Sequence, residues 1–509
     1  MNRILIPTHM PQQLLCLLPL LFLGLVTQAQ ISDTLSSPVA QQASEDLLLR
    51  SMSLTSVIDY AQMQSLEAEK AENRKENSYW AYQRSRSMIK PSLSLQGNLP
   101  DYQKSIIPVI QPDGSQQFKD VQNLYSDVRL SLDQNILWTG GSVSLFSSLE
   151  RNDVLLGANE GTSYASQPLV VGIDQPLFAY NPWKWNRKID PLRYEESVKR
   201  YKEENVRIAH QTTELFFDLL LAQIRLRIAQ KNKENSDINY KIGQGRFNLG
   251  KIAENELLEL ELNQLNAERD MANAKLQVET NRLSLNTFIG SDKNDTYNLL
   301  IPDEVPEFDI DLDKALSQAK LNRQQYVSFK RRLLEAESQV AQAKSENTLN
   351  INLRARIGLT DQGESYRDVY GNAQNTQRYA VGVNVPILDW NRRKSSYKTA
   401  LANQHLVENT IEQEEQLFEA EIITLVKQMP TLRARVLSTK RGDEIANRRY
   451  DISQERYLVA NITVTDLNLA LQAKDQAKEA YLRALREYWM AYYQLRYLTL
   501  YDFVNNQSL

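Results

Sequence analysis

The sequence predicts a mainly α chain of two tandem repeats, each joining a few β-strands to long antiparallel coiled-coil helices. Three observations lead there. The second half repeats the first at an offset of 210 residues: Val171-Gly172-Ile173-Asp174-Gln175-Pro176-Leu177 returns as Val381-Gly382-Val383-Asn384-Val385-Pro386-Ile387, and Arg246-Phe247-Asn248-Leu249 as Arg456-Tyr457-Leu458-Val459. Residues 186–241 lack internal glycine, and their only proline, Pro191, falls in the first turns. Roughly 55 helical residues would span on the order of 80 Å. Short apolar–polar alternations stand at matched places in both copies, as half-exposed strands do. Duplication of this kind points to a symmetric assembly rather than a single cleft.

Taken in order, Arg3, the apolar run Leu14 to Val26 and the small-residue site Thr27-Gln28-Ala29 read as a secretory signal peptide over residues 1–29. The run is short for a membrane span. The only cysteine, Cys16, lies inside it between leucines, which argues against lipidation and leaves the mature chain without thiols. Residues 30–53 form a loose, Ser/Gln-rich segment. The first repeat covers 54–290. Its first helix, 54–88, contains no Pro or Gly, and Pro91-Ser92-Leu93-Ser94-Leu95 begins a strand. Residues 100–124 carry Pro100, Pro108, Pro112 and Asp113-Gly114 and read as loop. Strand-like stretches at 126–138 and 142–149 flank Gly140-Gly141, and another lies at 168–178. The segment 101–165 is an insertion relative to the second copy, and its hairpin 126–149 is expected to be extracellular rather than barrel wall.

After the long helix a break is expected at 243–250, where three glycines cluster, and a second helix at 253–289. That helix has a seam with alternating steps of three and four: Leu257, Leu260, Gln264, Ala267, Met271, Ala274, Val278, Asn281, Leu285, Phe288. The pattern is that of coiled-coil packing and recurs 210 residues later with alanine at four of ten positions. Residues 291–310 are the linker. The second repeat, 311–500, opens with a helix at 311–345 that matches 54–88 at an offset of 258, and residues 501–509 are the tail.

Four or so amphipathic strands cannot close a barrel alone, and open edges are not tolerated in lipid. Oligomerisation would close one. Aromatic residues stand where interface anchors would be needed: Trp80 before the first strand, Trp183 and Trp185 after the last strand of copy one, Trp390 after that of copy two. Packing at helix–strand junctions is the alternative for each of them singly. A net charge of −4 offers no basic surface for nucleic acid.

In its order of elements, its strand endings Gln175-Pro176-Leu177-Phe178 and Val385-Pro386-Ile387-Leu388, its break Arg246-Phe247-Asn248-Leu249-Gly250 and its Thr287-Phe288-Ile289-Gly290, the chain resembles the TolC family of outer-membrane efflux proteins. The resemblance implies a homotrimer in which each protomer gives four strands to one twelve-stranded transmembrane β-barrel. It implies a periplasmic α-barrel of long helices, and an outer-membrane setting in a Gram-negative bacterium with lipid around the barrel. The partners it implies are a periplasmic membrane-fusion (adaptor) protein and an inner-membrane transporter, in tripartite efflux or secretion. Arg246, Phe247, Gly250, Arg456 and Tyr457 would then lie at the periplasmic tip and meet the adaptor, unless Phe247 and Tyr457 only plug the helix ends. Asp466 would contribute to an acidic ring at the tunnel mouth, with Glu256 its counterpart in copy one. An ordinary solvated helix charge is the alternative. A second acidic position of the family pattern holds Leu469 here, and a latching arginine is replaced by Ile462, which puts latching and cation selectivity in question.

His210 and His405 are the only histidines of the mature chain, and no phosphate loop, nucleophile elbow or cysteine nucleophile is present. No enzymatic activity, cofactor or metal is therefore expected. A soluble periplasmic coiled-coil adaptor or chaperone is the competing reading. It would account for the helices but not for the paired strands.

Overall fold

The computed structural model describes residues 51–110, 113–156, 160–302, 305–459 and 461–509. The expected signal peptide, nearly all of the loose segment, and Asp303, Glu304 and Ala460 lie outside the described residues.

Where one helix was expected at 54–88 there are two, α1 (Leu54–Gln64) and α2 (Leu66–Ser87). Ser65 separates them in extended conformation, its N–H donating to Ala61 O at 3.0 Å and its Oγ accepting from Ala68 N at 3.1 Å. One buried serine thus closes one helix and caps the next. The expected helix at 311–345 is likewise α5 (Leu312–Asn322) and α6 (Gln324–Glu346), broken at Arg323, 258 residues after Ser65. Neither break carries Gly or Pro, so a search for helix breakers passes over both. Arg323 supplies no side-chain cap. Glu203, in the long helix of the first repeat, does so from outside, accepting the Gln324 N–H at 2.6 Å and pairing with Arg323 Nη1 at 3.3 Å.

The long helices α3 (Pro182–Asn248) and α7 (Arg392–Leu458) have 67 residues each, roughly 100 Å of helix. Their partners α4 (Glu254–Ile289) and α8 (Val464–Thr499) have 36 each. All four boundaries keep the offset of 210. Every seam residue of α4 from Leu257 to Phe288 is buried or half-buried, while Leu258, Leu262, Leu265 and Leu276 stand exposed on another face. The α8 seam is covered in the same way. Helix α3 packs against α1, α2, α4, α6 and α8. The core lies along it, where Phe216, Phe217, Leu219 and Leu220 are inaccessible, as are Leu285 of α4 and Leu482, Leu485 and Tyr488 of α8. The glycine cluster does not end α3: Gly243 and Gly245 are helical, and only Gly250, just past the end, has positive φ (66°).

Between α2 and α3 run β1 (Ser92–Ile110), β2 (Gln116–Asn135), β3 (Ser142–Leu156) and β4 (Gly161–Leu177); between α6 and α7 run β5 (Asn350–Gly363) and β6 (Gln374–Asn384). They form one antiparallel sheet in the order β1-β2-β3-β4-β5-β6. The sheet holds six strands where four or so were anticipated, because the hairpin at 126–149 adds two; a further correction lengthens the first two strands. The expected loop at 100–124 is strand on either side of a turn at Asp113-Gly114. Its prolines are tolerated because Pro100 falls at the register shift between Asn98 and Asp101, and Pro108 lies on an edge strand. The hairpin 126–149, expected outside, is inside the sheet: β2 pairs with β1 from Ser92↔Asp133, and β3 pairs with β4 from Ser142↔Asp174.

Candidate functional site

Strand periodicity gives the sheet two unlike faces. Leu93, Leu132, Leu145, Val171 and Ile357 lie in one register row across five strands. Leu353 pairs with Val381 on the same face. Most of these side chains are exposed despite being apolar, including Leu93, Leu132, Val171, Ile357 and Val381. On the opposite face the row Ser92, Asp133, Ser144, Gly172, Arg356, Arg378 crosses all six strands. Two residues along, on the same face, Arg354 and Asp174 form an ion pair at 3.3 Å. An apolar face that no other described residue covers, backed by a polar one, is the pattern of a membrane barrel wall. Among the described residues no helix is long and apolar enough to cross a membrane.

Aromatic residues gather where strands meet helices. Trp390 is 85% exposed, and Trp183 and Trp185 are half-buried in the first turn of α3. Trp80 is exposed but sits two turns before the end of α2, on the helical side of the junction, with its indole N–H donating to Glu76. Sequence reasoning missed Trp138, 86% exposed, because its turn was assigned to the far side of the strands. The turn is at the helical end: Asn181 Nδ2 donates to Leu137 O at 2.8 Å and Gln134 Nε2 to Ile89 O at 2.9 Å.

At the other end of the long helices the two copies turn in the same way. Lys251 N donates to Arg246 O, and Asn461 N to Arg456 O, both at 2.9 Å. Such six-to-one bonds satisfy the last carbonyls of a helix. The Arg246 guanidinium lies 5.3 Å from the centre of the Tyr457 ring, joining one turn to the other. Tyr457 itself is buried with Tyr450, Leu467 and Ala470, whereas Phe247, Arg456 and Gly250 are exposed. Of the five tip residues singled out from sequence, Tyr457 therefore packs inside its own helix pair.

Gly243 is buried against α4, and a Cβ there would lie 2.4 Å from Leu260 Cδ1. The equivalent positions in copy two are Ser453 and Ala470, so volume gained on one helix is given up on the other. Gly243→Ser is expected to lower the thermal midpoint of the protein, by overpacking worth about 1–3 kcal/mol. Adding Leu260→Ala should recover part of that loss in a melting experiment.

Asp466 is exposed and closes a capping box. Its Oδ2 accepts from Thr463 N at 3.1 Å and Thr463 Oγ1 at 2.7 Å, while its own N–H donates to that hydroxyl at 3.2 Å. The Thr463 hydrogen bonds hold its carboxyl below the usual carboxylate range. The signature Thr463-Val464-Thr465-Asp466 was legible in the sequence and was passed over. Glu256 is also exposed in a first turn, but its N-cap, Ala253, has no side-chain bond. Farther from the turns, Asn232 donates to Asp475 at 2.8 Å and Arg225 pairs with Glu479 at 3.0 Å, tying α3 to α8. Lys478 and Asp443 tie α8 to α7 at 3.1 Å. Burial raises the Asp475 carboxyl against the pull of Asn232. A groove of about 750 Å³ between α3, α4 and α8 is lined by Asn232, Asn263, Asn266, Asn273, Gln472 and Asp475 among others. Among the described residues no cluster of His, Cys, Asp or Glu could hold a metal ion.

A duplicated pair of coiled-coil hairpins rooted in an outward-apolar sheet defines the class of outer-membrane channels with long helical extensions. The chain belongs to the outer membrane efflux protein family, which it matches over residues 141–291 and 315–499. It is accordingly a protein of the Gram-negative outer membrane. Among solved structures, it is similar to the CmeC outer membrane channel of Campylobacter jejuni (TM-score 0.65, 15% identity, 88% of this chain and 85% of that one). It is also similar to a membrane protein from Pseudomonas aeruginosa (0.64, 12%, 95% and 97%) and to the MtrE outer membrane channel of Neisseria gonorrhoeae (0.58, 15%, 88% and 88%). Among curated protein sequences, none matches the chain significantly.

Proposed function

We propose that three copies form a channel-tunnel that takes substrates from a periplasmic adaptor and an inner-membrane transporter to the exterior. The observation that carries this reading is the sheet. Among the described residues it has an uncovered apolar face and two edges, β1 and β6, without a partner strand. Unpaired edge groups in lipid cost several kcal/mol each, so a membrane sheet must close on something. The exposed leucine stripe of α4 offers neighbouring copies a second contact along the helices. A soluble coiled-coil adaptor would have no use for the apolar face. Purifying the protein from membranes and measuring its mass by light scattering tests the proposal. A trimer released only by detergent is expected, and a water-soluble monomer would overturn it.

The adaptor contact falls to the exposed tip residues, Phe247 and Arg456 with Arg246 and Gly250 beside them, while Tyr457 positions Arg246 from within. Trp183, Trp185 and Trp390 serve as interface anchors, with Trp80 below them. Asp466 and Glu256 face the tunnel mouth, where threefold symmetry would bring like carboxylates together and favour cations. Asp466→Ala is expected to weaken block of single channels by divalent cations. Thr463→Ala, which breaks the cap but keeps the charge, should leave block in place. Unchanged block in Asp466→Ala would remove the ring assignment. The capping bonds themselves depend on pH. Because the folded carboxyl titrates below its unfolded value, its contribution is present above the ordinary carboxylate range and is lost as pH falls through the lowered value.

A further inference from the structure

We infer that the hairpin of β2 and β3 is barrel wall, so that three copies close eighteen strands rather than twelve. The inference rests on the trimeric reading above and adds to it the dimensions of the exit. Three observations carry it. The hairpin is paired on both sides: β2 to β1 from Ser92↔Asp133 onward, and β3 to β4 from Ser142↔Asp174 to Val154↔Gly161. It shares the two-faced pattern of its neighbours, with Leu130 and Leu132 on the apolar face and Ser131 and Asp133 on the polar one. Its turn is fastened to the floor of the sheet, because Asn135 Nδ2 donates to Met88 O at 3.1 Å, Gln134 to Ile89 O and Asn181 to Leu137 O.

The topology also closes. Six strands alternate in direction, so the β6 edge of one copy runs antiparallel to the β1 edge of the next. With strands about 4.8 Å apart and tilted by about 40°, a barrel of eighteen strands is roughly 36 Å across between backbones, against roughly 24 Å for twelve. The open cross-section is then about doubled.

Electron cryo-microscopy of the full mature protein in lipid nanodiscs tests this by counting strands. Eighteen strands from three copies are expected. Twelve strands from three copies, with residues 126–149 outside the wall, would overturn the inference and leave the trimeric reading intact. Twelve strands from two copies would overturn the trimeric reading on which it rests. Leu130→Trp gives a second readout in reconstituted vesicles. Brominated acyl chains should quench its added emission to the extent seen with Leu353→Trp on β5. Emission from the Leu130→Trp indole that such lipids do not quench would place the hairpin away from lipid and sink the proposal.

Discussion

Replacing Glu203 with alanine should cost about 3–5 kcal/mol, because it strands a buried charge. Glu203 and Arg323 are both almost wholly buried, with side-chain accessibilities of 6% and 7%. Arg323 also donates to Tyr497 O at 2.9 Å and lies over the Phe418 and Tyr497 rings. The carboxylate is its charge partner, and it caps α6 through the Gln324 N–H. Removal therefore leaves a buried guanidinium without a counter-ion and a helix start without a cap. Thermal denaturation of the detergent-solubilised protein measures the loss. A melting point unchanged by Glu203→Ala would contradict the account. Glu203→Gln keeps an acceptor for the cap and should fall between the two. The pH dependence has a fixed sign. Burial raises the Glu203 carboxyl above its ordinary value despite Arg323. The folded state therefore binds this proton more tightly than the unfolded chain. The site's contribution to stability declines as pH rises from the ordinary carboxylate range through the raised value, and is level beyond it.

A charge placed on the apolar face of the sheet should prevent assembly in the membrane, while the same charge one residue away should be accepted. Leu95 and Ser94 are neighbours on β1 that point to opposite faces. Leu95 is exposed opposite Leu130, and Ser94 hydrogen-bonds Ser131 at 2.9 Å across the polar face. An arginine on the lipid-facing side costs up to about 2–4 kcal/mol, most toward the middle of the band. Leu95→Arg is expected to deplete the protein from the outer membrane fraction, whereas Ser94→Arg should leave its level near that of the parent. Equal levels for the two variants would mean that the sheet has no lipid-facing side.

Much of the helical fold was legible because it rests on patterns that survive without tertiary context. The offset of 210 residues carried through to identical helix lengths, and the three-and-four seam became the covered face of α4 and α8. Where reading failed, the deciding groups were distant in sequence or usually mean something else. The breaks at Ser65 and Arg323 depend on hydrogen bonds to Ala61, Ala319 and Glu203, and neither residue is a helix breaker. Pro100 and Pro108 suggested a loop, since the register shift at the first and the outer-strand place of the second appear only once β1 pairs with β2, whereas Asp113-Gly114 is a turn as read. Gly243 looked like a turn glycine, yet its role is to admit Leu260. Of the tip residues, Tyr457 could not be separated from Phe247 by sequence, because an aromatic at a helix end looks the same whether it packs inward or stands out.

The most direct test of the channel reading is a single-channel recording from the purified mature protein in a planar lipid bilayer. Discrete, long-lived conductance steps from a detergent-extracted trimer are expected. A protein that remains a soluble monomer and leaves the bilayer silent would contradict it.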